Sequence, residues 1–267
     1  VEAEVKKNVA IVGAGPAGCE AALTASLRGH KVTIFEKRSF GGAMIEASKP
    51  DNKANIKRLI NYYEDHITHD PNITLVKKEA NYDMLVQGGY DAVIIAIGGK
   101  TRILDVPGSD KSSVVYANDY LNGSRVVDGK NVVIIGGGIT GAETALELDN
   151  DGKNVTIVEM ADTFLANSGS SCQAYNIAIA QSNIKIMTGK RLVAVEDNGV
   201  VLIDRWGNEN TVDADNVVIA AGFTPQYDLA NQLEENTEME VYNIGDSKKV
   251  RQIYDAIHEG FIAARQI

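Results

Sequence analysis

A 29-residue pattern occurs twice in this 267-residue chain without a gap: NVAIVGAGPAGCEAALTASLRGHKVTIFE at 8–36 and NVVIIGGGITGAETALELDNDGKNVTIVE at 131–159. Gly13, Gly15, Gly18, Gly29 and Glu36 meet Gly136, Gly138, Gly141, Gly152 and Glu159 at a constant offset of 123. Each copy reads as an apolar strand, a G-x-G-x-x-G turn, an Ala/Leu-rich helix, a second strand and a terminal acid. That is the fingerprint of a dinucleotide-binding βαβ unit. The first glycine makes the tight turn, the second leaves room for a pyrophosphate, and the third lets helix and strand approach. The helix N-terminus then presents backbone N–H groups and a partial positive charge to the phosphates. Pro16 is tolerated because the first helical turn has no use for its N–H.

Glu36 and Glu159 are placed to accept hydrogen bonds from ribose hydroxyls and to repel a 2′-phosphate. The residues after Glu159 are Met160, Ala161 and Asp162, none of them basic. A 2′-phosphate calls for Arg or Lys nearby, so the second copy, which opens its helix with Ile139 and Thr140, is expected to take NADH rather than NADPH. Two nucleotide sites in one chain imply electrons passing between them.

The element pattern predicts an α/β chain. Strands are expected at 8–12, 31–35, 73–77 and 91–97, with helices at 16–28 and 53–67, the latter carrying Leu59, Ile60, Tyr63 and Ile67 on one face. Further strands are expected at 131–135, 154–158, 184–187, 191–196, 199–204 and 216–220, with helices at 139–149 and 171–181. A strand at 239–244 and a helix at 250–265 close the chain. Arg191–Asp204, broken by Asp197-Asn198-Gly199, reads as a hairpin. The order suggests one nucleotide domain inserted into another: 1–108 with 223–267, and 112–222, with Pro107-Gly108 and Gly222–Pro225 as crossing points.

A net charge of −10 argues against nucleic acid or an anionic membrane as partner. No run approaches the roughly 20 apolar residues of a membrane span. Cys19 and Cys172 are far apart with no C-x-x-C, which removes a redox dithiol and an Fe–S motif from this chain and predicts a reducing, cytoplasmic compartment. His30, His66, His69 and His258 are scattered and expected at the surface, with Cys19 packed in the first helix. A start on Val1, almost directly before a core strand, hints at a piece of a longer protein.

Three further constellations suit a dinucleotide. Gly41-Gly42 would let the backbone approach its non-adenosine half, although an ordinary loop turn would also use them. Ala96-Ile97-Gly98-Gly99 and Ala220-Ala221-Gly222 place small residues at strand ends, where ligands lie in open α/β sheets; a tight turn alone would explain them too. Gly245-Asp246, ahead of a helix, offers a carboxylate to polyol hydroxyls or serves that helix as an N-cap.

With these motifs the chain resembles the flavoproteins built of two Rossmann-like domains of glutathione-reductase type. The best fit is the C-terminal FAD/NAD(H)-binding region of NADH:flavin oxidoreductases of the 2-enoate reductase and 2,4-dienoyl-CoA reductase family. The segments RGH, VTIFEK, GG, EASKPDNK and RLINYY across 28–63 carry the likeness, with VTIVEM at 155–160 and EVYNIGD followed by AIHEGFIAARQI. The resemblance implies an NADH domain inserted into an FAD domain. It assigns Gly13, Gly15, Pro16, Ala17 and Gly18 to the FAD pyrophosphate, Glu36 to its ribose, and Gly42 to the flavin side. Ala96, Ile97 and Gly98 would lie under the pyrophosphate, Asp246 on the ribityl chain, and Arg251 to Ile253 at the flavin edge. Lys37, Gly41, Ala80 and Gly245 complete that set. For NADH it implies Gly136, Gly138, Ile139, Thr140, Gly141, Glu159 and Gly222, with Glu143 approaching the carboxamide.

No side chain is expected to act as acid or base. The resemblance further implies an upstream barrel with FMN and a 4Fe–4S cluster, absent from this chain, that reduces an enoate or dienoyl-CoA alkene. Two alternatives share the motifs: a stand-alone NADH-dependent flavin or ferredoxin reductase, and a non-catalytic ADP-holding module. Asp246 and the intact second glycine turn speak against the latter. Ser247–Lys249 depart from a family segment that often contains Cys and Pro.

Overall fold

The computed structural model describes residues 2–50, 53–166, 169 and 172–267. The chain forms two compact units, Val1–Thr101 with Phe223–Ile267, and Arg102–Gly222.

The first unit opens with β1 (Asn8–Val12), α1 (Pro16–Leu27), β2 (Lys31–Phe35), α2 (Met44–Ala47), α3 (Ala54–His69), β3 (Ile73–Val76), α4 (Tyr82–Gln87), β4 (Ala92–Ile95) and β5 (Lys100–Thr101). The second holds β6 (Val114–Tyr116), α5 (Ala117–Leu121), β7 (Asn131–Ile135), α6 (Ile139–Asn150), β8 (Asn154–Val158), α7 (Cys172–Ala180), β9 (Lys185–Met187), β10 (Lys190–Glu196), β11 (Gly199–Asp204), β12 (Glu209–Asp213) and β13 (Asn216–Ile219). The chain then returns to the first unit through β14 (Phe223–Thr224), α8 (Asp228–Asn236), β15 (Glu240–Asn243) and α9 (Ile253–Gln266). Residue 171, the expected start of α7, and Asp51-Asn52 of the EASKPDNK segment lie outside the described residues.

Each unit is built on a parallel five-stranded sheet, β15-β4-β1-β2-β3 in the first and β6-β13-β7-β8-β9 in the second. The strands are near-continuous apolar runs because both faces are covered, by helices in the first unit and by helices on one face and the strands β10 (Lys190–Glu196) and β11 (Gly199–Asp204) on the other in the second. In β4 all four residues are buried, and in β1 and β7 all but the first. One face of the first sheet packs Ile11, Ile34 and Ile94 with Tyr63 of α3 and Ala264 of α9; the other packs Val12, Phe35 and Val93 with Leu233 of α8. Both sheets reverse their strand order beside the central strand, β1 or β7, and ligands of open α/β sheets lie in that crevice.

The units differ in what joins their corresponding strands; in the first, α4 alone links β3 to β4. Between β9 and β13 the second carries an antiparallel three-stranded meander, β10-β11-β12, with a register shift between Leu192 and Ala194. The expected hairpin is its first two strands. β12 was not evident in the sequence, because ENTVD is mostly exposed and polar. In the first unit β5 and β14 form a two-stranded antiparallel ribbon. In the second, the Arg102 N–H donates to the Gly222 carbonyl at 3.0 Å, so the two ends of that unit meet.

One histidine departs from expectation. His30 is fully buried, where a surface position was expected, because β2 starts beneath the chain that leads into β1. The Lys7 N–H donates to its Nδ1 at 3.1 Å, and burial lowers its pKa, with Arg28 and Lys7 adding to the shift. Cys19 is buried in α1, donating to the Ala14 carbonyl, and burial pushes its thiol well up, with Glu36 and Glu20 adding to it.

Candidate functional site: two glycine turns with a shared clamp

In each unit the glycine turn leaves the central strand at its carboxyl end. Gly13 has φ +104° and Gly136 φ +117°, a region L side chains rarely adopt. A Cβ on Gly13 would stand 2.4 Å from the Ala96 carbonyl oxygen, and one on Gly136 2.3 Å from that of Ala220. Those carbonyls belong to the strand-end motifs singled out in the sequence. The third glycine of each turn is packed against the first: a Cβ on Gly18 would lie 1.9 Å from the Gly13 oxygen, and one on Gly141 2.0 Å from the Gly136 oxygen.

The middle glycine has a different reason. Gly15 and Gly138 are the N-caps of α1 and α6, with extended backbone and no side-chain cap bond. A Cβ on Gly138 would meet nothing within 4 Å, and one on Gly15 only the Cα of Gly42 at 3.9 Å. Nothing in the protein therefore demands glycine at these two positions. An open cradle over uncapped helix N-termini is what a pyrophosphate needs, and the residues present fit one in both units.

The terminal acids do more than face a ribose. Glu36 Oε2 accepts from Ala14 N–H at 2.8 Å and Oε1 from Arg38 N–H at 2.6 Å. Glu159 repeats this at the same offset of 123, with Oε2 accepting from Gly137 N–H at 2.6 Å and Oε1 from Ala161 N–H at 2.7 Å. Each carboxylate thus clamps its glycine turn to the loop after the second strand. An ionised carboxylate has about four lone-pair sites, so two remain on each for ribose hydroxyls.

Around the first turn the structure collects Gly41, whose N–H donates to the Ala14 carbonyl at 2.8 Å, and Gly42, whose Cβ position lies 3.0 Å from the Gly15 Cα. Gly245 adjoins it as well, its Cβ position 3.1 Å from the Cβ of Ala17. Asp246 follows in a single 3₁₀ turn and accepts from Arg251 N–H at 3.0 Å. It is not the helix cap: Gln252 caps α9, in a capping box with Asp255. Burial raises the Asp246 pKa, opposed by the Arg251 N–H and charge, and Glu259 and Asp255 raise it further. Pro16 opens α1, Ile253 opens α9 against the same core, Ile97 packs on the opposite face, and the Gly98 carbonyl accepts from Gln226 at 2.9 Å. Two more of the expected residues have other contacts. Lys37 pairs with Glu79 at 2.5 Å on the surface, and Ala80 packs in the core with Phe35 and Val93.

Around the second turn stand Gly136, Gly138, Ile139, Thr140, Gly141 and Glu159. Glu143, one turn into α6, is buried and accepts from the Tyr175 hydroxyl of α7. Gly222 lies past the strand end with φ +81°.

Three residues were missed in the sequence. Glu46 on α2 is buried and pairs with Arg38 at 2.6 Å, bracing the loop whose N–H meets Glu36. Glu259 of α9 accepts the Gly245 N–H at 2.6 Å and also pairs with Arg251, so it holds both sides of Asp246. Gln226 bridges to Gly98. Glu46 and Glu259 fall within the quoted segments EASKPDNK and AIHEGFIAARQI but were given no role there, because their partners lie elsewhere; across the three residues partners are 8 to 128 positions away along the chain.

The pyridine nucleotide-disulphide oxidoreductase family matches residues 7–260. The chain belongs to that family. It is accordingly a flavoprotein oxidoreductase domain using FAD and NAD(H), of the kind found in enoate-reductase-type enzymes. It is 36% identical to cinnamate reductase of Clostridium sporogenes over 275 residues, covering all of this chain and 40% of that protein. It is 34% identical to an NADH oxidase of Thermoanaerobacter brockii over 274 residues, covering all of this chain and 42% of the relative. The structure of a 2-naphthoyl-CoA reductase superposes with a TM-score of 0.90 at 34% identity, over all of this chain and 40% of the other. The chain thus spans about two fifths of the length of each of these three relatives. Although the family's name includes disulphides, the two cysteines, Cys19 and Cys172, are a buried helix residue and a half-buried one 153 positions on, both free. No helix among the described residues is long and apolar enough to cross a membrane.

Proposed function

We propose that the first unit holds FAD and the second NADH, and that the chain passes reducing equivalents to a separate reductase domain. Bound together, the two cofactors supply hydride transfer from nicotinamide to flavin and release of electrons onward. The protein's part is placement. Gly15 and the α1 N-terminus receive the FAD pyrophosphate, Glu36 its ribose, and Asp246, held by Arg251 and Glu259, the ribityl hydroxyls. Gly138, the α6 N-terminus and Glu159 do the same for NADH. No side chain in either set is required to move a proton.

The single observation that carries this reading is the repeated clamp, with the middle glycine of each turn facing open space. The relatives' names support the onward step, since cinnamate and 2-naphthoyl-CoA reductases act on conjugated substrates and extend well beyond the matched region. The partner we propose for that step is an FMN and 4Fe–4S barrel that reduces an enoate or dienoyl-CoA alkene. Anaerobic addition of NADH to the FAD-loaded chain is expected to bleach the flavin absorbance. Unchanged absorbance would refute the proposal.

A further inference from the structure

The loop after β8 is bracketed by a second segment. Gly189 N–H donates to the Ala161 carbonyl at 2.9 Å, and Lys190 N–H to the Glu159 carbonyl at 3.0 Å. The turn between β9 and β10 therefore lies against Glu159, and a Cβ on Gly189 would stand 3.4 Å from Asp162 Oδ1. Two basic side chains reach this bracket, and each is engaged by an acid. Lys190 pairs with Asp204 at 3.7 Å. Arg205, at the turn between β11 and β12, pairs with Asp162, while its guanidinium lies 5.0 Å from the centre of the Trp206 ring. The meander has thus delivered an arginine to the edge of the ribose-facing loop, although the residues directly following Glu159 contain no base.

We propose that Asp162 sets the second turn's preference for NADH by holding Arg205, which would otherwise be available to bind a 2′-phosphate. This rests on reading the second turn as the NADH site. Glu159 alone repels a 2′-phosphate, but an arginine beside it offers a planar, bidentate phosphate partner. Specificity is a difference of two affinities. Asp162 acts on that difference by keeping the guanidinium occupied and adding a second negative charge where the phosphate would sit. Trp206 holds the same guanidinium from its ring face, which limits the positions Arg205 can adopt once freed.

The test uses the FAD-loaded chain and two probes, 5′-ADP and 2′,5′-ADP, with dissociation constants measured by calorimetry. Asp162→Ser is expected to tighten 2′,5′-ADP by about tenfold, the scale of one charge-assisted bond, and to leave 5′-ADP within about twofold. Asp162→Ser with Arg205→Ala is expected to return 2′,5′-ADP to its original affinity, and Asp162→Glu to keep the rejection. Trp206 is the only tryptophan, so its fluorescence reports whether Arg205 leaves the ring. An unchanged ratio of the two affinities in Asp162→Ser, or a gain that survives removal of Arg205, would overturn the proposal while leaving the NADH site intact. An unaltered chain that binds neither probe would overturn the site assignment itself.

Discussion

Gly138 and Gly141 lie three residues apart in one turn, yet their replacement by alanine is expected to fail in opposite ways. At Gly141 the added methyl would stand 2.0 Å from the Gly136 carbonyl oxygen, where ordinary contact begins near 3.4 Å. The start of α6 must back away from its own strand by more than an ångström, and overpacking of that kind costs about 1–3 kcal/mol. For a unit of this size each kcal/mol lowers the melting temperature by roughly 4 °C. At Gly138 the backbone is φ −81°, ψ −172°, open to any residue, and the methyl meets nothing within 4 Å. Alanine is a poorer N-cap than glycine by about 0.5–1 kcal/mol. Restricting the unfolded chain returns about 0.4–1 kcal/mol, so the fold is left nearly unchanged. The methyl then occupies the space over the helix N–H groups. Losing one charge-assisted bond of about 1.5–3 kcal/mol weakens NADH by about 10- to 100-fold. Thermal unfolding and NADH titration of both variants separate the effects. Gly138→Ala with undiminished NADH affinity, or Gly141→Ala with an unmoved melting temperature, would refute the division of labour between the two glycines.

Glu36→Gln keeps the size of the clamp but can accept at only one of its two positions, leaving an N–H of Ala14 or Arg38 facing an N–H₂ group. A loss of about 1–3 kcal/mol in FAD binding is expected, visible as flavin released on gel filtration, with NADH-site affinity for 5′-ADP unaltered. His30 predicts an acid weakness. Its pKa is lowered in the fold, so the unfolded chain takes up the proton first, near pH 6.5. Stability is complete above that value and falls as pH drops from there through the folded pKa. Urea midpoints are expected to decline from pH 7.5 to pH 5.5 in the natural chain and to decline less in His30→Asn; equal slopes would exclude His30 as the cause.

The core of each unit was legible because a buried parallel strand and a glycine turn both write themselves into local sequence. β1, β2, β7 and β8 fall at 8–12, 31–35, 131–135 and 154–158 as expected. The peripheral elements were not. In α8 only Ala230 and Leu233 are buried, and α4 buries Leu85 alone, so a helical period had too few apolar residues to show. His30 was misread because its polarity outweighed its position at the start of β2, where the chain before β1 covers it. The glutamates were found at the right positions, but their grip on Ala14, Arg38, Gly137 and Ala161 joins backbone to side chain and leaves no trace in residue types. Glu259 and Arg205 were invisible for a related reason: each acts on a turn supplied by another part of the chain.

The meeting of Arg102 and Gly222 bears on how such a chain could have been assembled. Because the second unit departs and returns at neighbouring points, a gene for it could be spliced into a surface connection of the first without breaking either sheet. The same property makes it portable. Residues 102–222, closed by a few added residues, form a candidate for expression as a free-standing nucleotide binder, and a short turn from Thr101 to Phe223 would seal the donor.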